Sequence, residues 1–219
     1  MAGFRSDVGM GSYGERSGMS ASRQRKLGGD TLAIALGANL GDPEATLMAV
    51  RPRLEAVLAA WGGASLARGC RWSPLFRTAP VGGPPGQPAY VNAVLVAGPL
   101  PVPTPDPRSL LEALLALEQA FGRVRGEHWG PRLLDLDLLW CGVCRLQEPL
   151  LELPHPRLHQ RRFVLEPLAV IDPTLSPPRT EGAPSLSVAQ SLARLLVSVA
   201  ADAAEPPPRR LPPRPGWPE

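Results

Sequence analysis

His128-Trp129-Gly130-Pro131-Arg132-Leu133-Leu134-Asp135-Leu136-Asp137-Leu138-Leu139 sets two carboxylates two residues apart inside an apolar run. On a β-strand, side chains i and i+2 share a face, so a strand over 132–140 places Asp135 and Asp137 side by side while Leu134, Leu136 and Leu138 face a core. Like charges on one face repel. A divalent cation between them relieves the repulsion, and hard oxygen donors suit Mg²⁺, which takes one or two carboxylates together with substrate phosphates. Arg132, three residues before Asp135, is placed to neutralise phosphate oxygens. On these residues alone a solvent-facing acidic pair on an edge strand stays open as the plainer reading.

The flanking sequence gives this strand its neighbours. A turn at 141–144 predicts a hairpin partner for it. Apolar residues at 110, 111, 114, 115, 117 and 121 predict an amphipathic helix over 108–121, ended by Gly122, and a long loop over 122–131 follows. Nearer the start, 31–36 reads as a strand, 37–43 as a turn, and 44–60 as a helix that Pro43 can begin and Gly62-Gly63 can stop. Strands are expected over 65–76 and 90–97. Between them, 78–88 holds four prolines and three glycines, too broken for regular structure yet stiff, as binding loops often are. Helices are expected over 158–170, with Pro167 as a kink, and over 185–199. Strand, helix, strand, strand, helix, strand is the ferredoxin-like order of an α+β sandwich, a mainly antiparallel sheet with helices packed on it.

A chain of 219 residues suits one domain with a real core. The expected division is a disordered leader at 1–29, a domain over 30–204 and a Pro-rich disordered tail at 205–219, both tails being dispensable. There is no apolar run of the ~20 residues that span a bilayer and no secretory signal, so the protein is expected in the cytoplasm, away from membranes. The net charge of +3 comes from the ends: residues 1–30 carry five Lys/Arg against three Asp/Glu, and 205–219 carry three against two. That leaves 15 of each sign between them. A nucleic-acid surface is therefore not expected.

Lys26 is the only lysine, which excludes a Gly-Lys-Ser/Thr phosphate loop and a Schiff-base lysine in the core, so phosphate handling falls to arginine. Cys70, Cys141 and Cys144 are an odd number without a secretion signal, which argues against a disulfide framework. Cys141-Gly142-Val143-Cys144 has the spacing of half a zinc site but lacks a second pair at a suitable distance, and reads as a reduced turn.

Five blocks, in this order along the chain, resemble the 6-hydroxymethyl-7,8-dihydropterin pyrophosphokinase family. They are Ile34 to Gly41; Phe76 to Gly82 with Tyr90-Val91-Asn92-Ala93; Glu118 to Arg125; the opening segment; and Pro154-His155-Pro156-Arg157-Leu158 leading into Arg161-Arg162-Phe163. Together they cover roughly 31–175. The resemblance implies a ferredoxin-like fold and diphosphate transfer from ATP to a pterin alcohol in folate synthesis, with Mg²⁺, two ions, on Asp135 and Asp137. It implies charge stabilisation by Arg123 and Arg132, and ATP binding by Glu118, Arg125, Trp129, His155 and Arg161. Pterin binding is implied for Thr78, Val81, Tyr90, Asn92 and Phe163, which supply amide, backbone and ring contacts to a flat heterocycle. Arg157 and Arg162 are expected on the surface, and a monomer is expected. Gly126 departs from the family, where a basic residue is often found.

Two other functions compete. A ferredoxin-like RNA-recognition module would want a basic sheet, whereas this core is neutral and its key strand acidic. An ordinary kinase moving one phosphoryl group would use the same cations, and the chemistry of the residues does not separate it from a pyrophosphokinase.

Overall fold

The computed structural model describes residues 28–123, 130–178, 186–199 and 206–218. The expected leader at 1–29 lies outside these except for its last two residues. So does most of the loop at 122–131, including Arg125, His128 and Trp129.

The sheet is antiparallel, in the order β5 (Asp135–Cys141), β1 (Leu32–Ala38), β4 (Tyr90–Ala97), β3 (Phe76–Thr78) and β8 (Arg209–Arg210), with β2 (Arg71–Trp72) also paired to β4. The first four strands of that order, with their helices, are the expected ferredoxin-like core. Helices α1 (Pro43–Gly62) and α3 (Pro107–Ala120) cover one face. Both starts are written locally. Asp42 and Asp106 accept the Ala45 and Arg108 amides, and a proline follows each cap at the first helical position. Gly63, with φ of 88°, ends α1.

Alternation along β1 explains the two cores. Leu32, Ile34, Leu36 and Ala38 pack with Leu47, Val50, Leu54 and Leu58 of α1 and with Leu110 and Leu114 of α3. Ala33 and Ala35 face the other way, against Val164, Leu165 and Leu168 of α4 (Arg162–Ile171) and Val188 of α5 (Val188–Val199). Each buried leucine of this kind contributes about 1.5–3 kcal/mol by leaving water. Because helices cover both faces, β1 is buried along its whole length, unlike a half-exposed antiparallel strand.

On β5 the expected alternation holds through Leu138, then breaks. Ala33 pairs with Trp140 and Ile34 with Leu138, so Leu139 is an extra residue, a bulge. Leu139 and Trp140 therefore both enter the second core, while Asp135 and Asp137 stay on that same face nearer the strand start.

Four expectations change. Residues 64–68 form a short helix, α2 (Ala64–Arg68), before β2 instead of opening a strand. The strand after the 141–144 turn does not join β5: β6 (Leu146–Glu148) pairs only with β7 (Leu151–Leu153), and Gly142 turns the chain with φ of 55°. The helix expected from 158 begins as a separate 3-10 turn, Leu158–Gln160. The Pro-rich tail is not free over 206–218: it adds β8 to the sheet and buries Leu211 and Trp217. Two apolar anchors and a backbone ladder offset the entropy of ordering a segment that proline already stiffens.

The cysteines are free, and burial pushes the Cys70 and Cys141 thiols up to about 12, which keeps them protonated. Among the described residues no helix is long and apolar enough to cross a membrane.

Candidate active site

A cavity of about 500 Å³ opens on the α4 side of the sheet, where that helix stops short of the strand ends carrying Gly37, Thr78, Asn92 and Asp135. Nine expected site residues line it: Thr78, Val81, Tyr90, Asn92, Arg132, Asp135, Asp137, Arg161 and Phe163. With Ala35, Leu36 and Gly37, which also line it, residues from four of the five sequence blocks thus meet in one place.

The acidic pair sits in a frame of arginines. Asp135 is 2.6 Å from Arg132 Nη1 and 3.0 Å from Arg123 Nη1, and Asp137 accepts from Arg161 Nη1 at 2.6 Å. Burial, then the neighbouring Asp137 charge, pushes the Asp135 carboxyl up, while Arg132 and Arg123 oppose the shift. Two same-face carboxylates in a partly dehydrated pocket are a hard-oxygen donor set, which fits Mg²⁺ shared with substrate phosphates. Among the described residues no third His, Cys, Asp or Glu joins them, so the remaining ligands of such an ion would be phosphate oxygens and water.

His155 lies behind Asp137, its Nε2 4.0 Å from Asp137 Oδ2, and does not line the cavity. Its backbone N–H donates to Leu139 O at 2.7 Å, and its Nδ1 accepts from the Arg157 amide at 3.0 Å. With Nδ1 occupied as an acceptor, the proton of the neutral ring is on Nε2, facing the acid. Burial, then Arg161, pushes the imidazole pKa down, which favours that neutral form.

Glu118 is placed otherwise than expected of a ligand contact. Its side chain is 1% exposed, accepts the Leu136 amide at 2.7 Å and pairs with Arg123, without lining the cavity. Burial raises its pKa, opposed by the Leu136 amide and Arg123. It fixes the start of β5 and aims Arg123 at Asp135. Val81, at 55% exposure, forms the outer rim.

The uncharged end is built on Asn92. Its Nδ2 donates to Thr78 Oγ1 at 2.7 Å, both side chains being buried. Tyr90 presents its ring to the cavity and donates its hydroxyl to Gly130 O at 3.3 Å. Phe163 also lines the cavity, with the Arg161 guanidinium 5.5 Å from its ring centre.

Several contributors were not singled out in the sequence. Arg157, expected on the surface, lines the cavity with Gln160, whereas Arg162 pairs with Glu166 one helical turn on. Asn39, 2% exposed, ties three parts of the rim together: its Oδ1 accepts the Arg132 amide at 2.7 Å, its own amide donates to Arg132 O at 3.0 Å, and its Nδ2 donates to Pro88 O at 3.2 Å. Its place in the Gly37-Ala38-Asn39-Leu40-Gly41 turn was the available signal.

The model of a family described as 7,8-dihydro-6-hydroxymethylpterin-pyrophosphokinase (HPPK) matches residues 33–173. A Mycobacterium tuberculosis protein named 2-amino-4-hydroxy-6-hydroxymethyldihydropteridine pyrophosphokinase is 39% identical over 153 residues, 65% of this chain and 73% of its own length. A Pseudomonas aeruginosa protein of the same name is 39% identical over 156 residues, 71% of this chain and 89% of its own. Among solved structures, an HPPK-DHPS in complex with substrates aligns with a TM-score of 0.55 at 11% identity. That likeness concerns the fold. It takes in 79% of this chain, which spans only 46% of the larger protein.

Proposed function

Because the chain belongs to the 7,8-dihydro-6-hydroxymethylpterin-pyrophosphokinase family, whose reaction moves diphosphate from ATP to the pterin hydroxymethyl group in folate biosynthesis, we propose that this cavity is where the transfer occurs. The observation that carries this reading is the opening of Asp135 and Asp137, with Arg132 and Arg161 paired to them, into the same cavity as Asn92, Tyr90 and Phe163. A charged end suited to a triphosphate thus adjoins a ring-and-amide end suited to a heterocycle.

In this reading the pterin lies between Phe163 and Tyr90, with Asn92 and Thr78 hydrogen-bonding its edge and the 78–88 loop, through Val81, closing the rim. Arg161, with Arg125 and Trp129, takes ATP, and His155 serves the same end from behind Asp137. The pterin alcohol oxygen attacks the β-phosphorus, the bond from that phosphorus to the α-β bridging oxygen breaks, and AMP leaves with that oxygen while the alcohol proton passes to solvent. Charge spreads over the phosphoryl oxygens as this happens, and Arg123 and Arg132 are held by Glu118 and Asp135 where they can compensate it. Asp135 and Asp137 would hold Mg²⁺. When bound, the metal neutralises phosphate charge and polarises the phosphoryl oxygen. Both substrates then displace water from a cavity whose polar groups are already oriented, so most of the catalytic gain is positioning.

The pterin alcohol is expected to turn ATP into AMP only in the presence of Mg²⁺. Separating the nucleotides after incubation of the purified protein with ATP, Mg²⁺ and 6-hydroxymethyl-7,8-dihydropterin tests this. ADP as the main product would favour the single-phosphoryl kinase. A monomer is expected as well, and light scattering at assay concentration checks it.

A further inference from the structure

Beyond the family match, which ends at 173, the chain returns to the sheet at 206–218. We infer that this C-terminal strap is a positioning element for the pterin end of the cavity, with Trp217 and Leu211 as its two anchors. The inference rests on the proposed reading of Thr78 and Asn92.

β3 is only three residues long, and its last residue is Thr78, whose hydroxyl holds Asn92. On one side β3 pairs with β4, setting Phe76 opposite Asn92 and Thr78 opposite Tyr90. On its other side it meets the strap alone, with Phe76 opposite Arg210 and Arg77 opposite Arg209. Without β8, this short strand would be the sheet edge, where backbone groups exchange with water and ends fray.

The strap is fixed at two depths. Leu211 N–H donates to Leu75 O at 2.8 Å, immediately before β3. Trp217 is 6% exposed, donates its indole N–H to Ser73 O at 2.8 Å and meets the Trp72 ring edge-on with 5.2 Å between centres. Glu44 on α1 adds an outer clasp by pairing with both Arg77 of β3 and Arg214 of the strap. Apart from the Arg214–Glu44 pair, these contacts fall on residues 72–77, which lead into Thr78. The strap therefore acts on the pterin end through β3.

Steady-state kinetics and hydrogen exchange on the full chain test this. Leu211→Pro deletes one amide donor while keeping an apolar side chain, and Trp217→Phe keeps a ring while deleting the indole donor. Each is expected to raise the pterin KM about fivefold, the worth of one net hydrogen bond. The ATP KM and kcat should change by less than about twofold, with exchange protection falling at 75–78. Equal rises in both KM values would show general loosening and overturn the proposal, as would unchanged pterin KM in both variants. If Leu211→Pro fails to fold, Trp217→Phe decides alone by the same split. Asn92→Ala separates the two readings. An unchanged pterin KM in that variant overturns the subsite reading and the proposal with it, whereas a raised one beside unaltered strap variants overturns the strap alone.

Discussion

Gly37 on β1 stands directly opposite Asn92 on β4, and a Cβ built at Gly37 would come within 2.9 Å of the Asn92 amide oxygen. That oxygen belongs to a side chain already tethered by its nitrogen to Thr78. Gly37→Ala therefore displaces the amide from the cavity floor instead of filling empty space. Because the methyl also removes backbone freedom from the unfolded chain, stability should change little, by about 1 kcal/mol either way. The expected result is a pterin KM raised about tenfold with the melting temperature nearly kept. An unaltered pterin KM would show that the amide is not read by the substrate.

Asp135→Asn and Asp137→Asn should each retain the fold and lose turnover by roughly 10²-fold or more, since each keeps shape and deletes one of the charges facing the phosphates. Their effect on stability should be small for an acid with arginine partners. Burial and the Asp137 charge already oppose ionisation of Asp135, so amide replacement removes a cost together with the Arg132 and Arg123 pairs. Calorimetric titration of Mg²⁺ in the presence of a non-hydrolysable ATP analogue gives a readout apart from activity, and both variants should lose metal-dependent heat. Normal turnover in both would remove the metal assignment.

The legible parts of the fold share one property: their signal is local. Period-2 alternation through Leu134, Leu136 and Leu138 set the face of Asp135 and Asp137, and the Asp-Pro caps with helical spacing set α1 and α3. What could not be read depends on distant partners. Glu118 looks like an exposed helix-end acid until the Leu136 amide, 18 residues on, is brought to it. Residues 206–218 carry only Leu211 and Trp217 between prolines and arginines, a composition of disordered tails, and gain order from unpaired β3. Arg157 has no local mark that separates a cavity-lining arginine from a solvated one. In the Ala64–Arg68 turn, one helical turn is too short for periodicity to distinguish it from a strand.

His159 offers a pH test away from the cavity. It sits in the 3-10 turn before α4, with Nδ1 3.1 Å from Ser191 Oγ of α5, and burial lowers its pKa below the ordinary histidine value. The folded protein therefore holds this ring neutral at pH values where the unfolded chain protonates it, near pH 6.5 and below. Between that value and the lower folded pKa the unfolded state binds more protons, so stability must rise with pH across the window. Above pH 6.5 the contribution is complete, and it falls away as the solution is acidified. His159→Asn keeps an acceptor for Ser191 but cannot titrate, so its stability should vary less steeply than that of the parent as the solution is acidified below about pH 6.5. Denaturant unfolding at closely spaced pH values measures the difference. Parallel curves for the two proteins would mean that the packing of the 3-10 turn against α5 does not resist protonation.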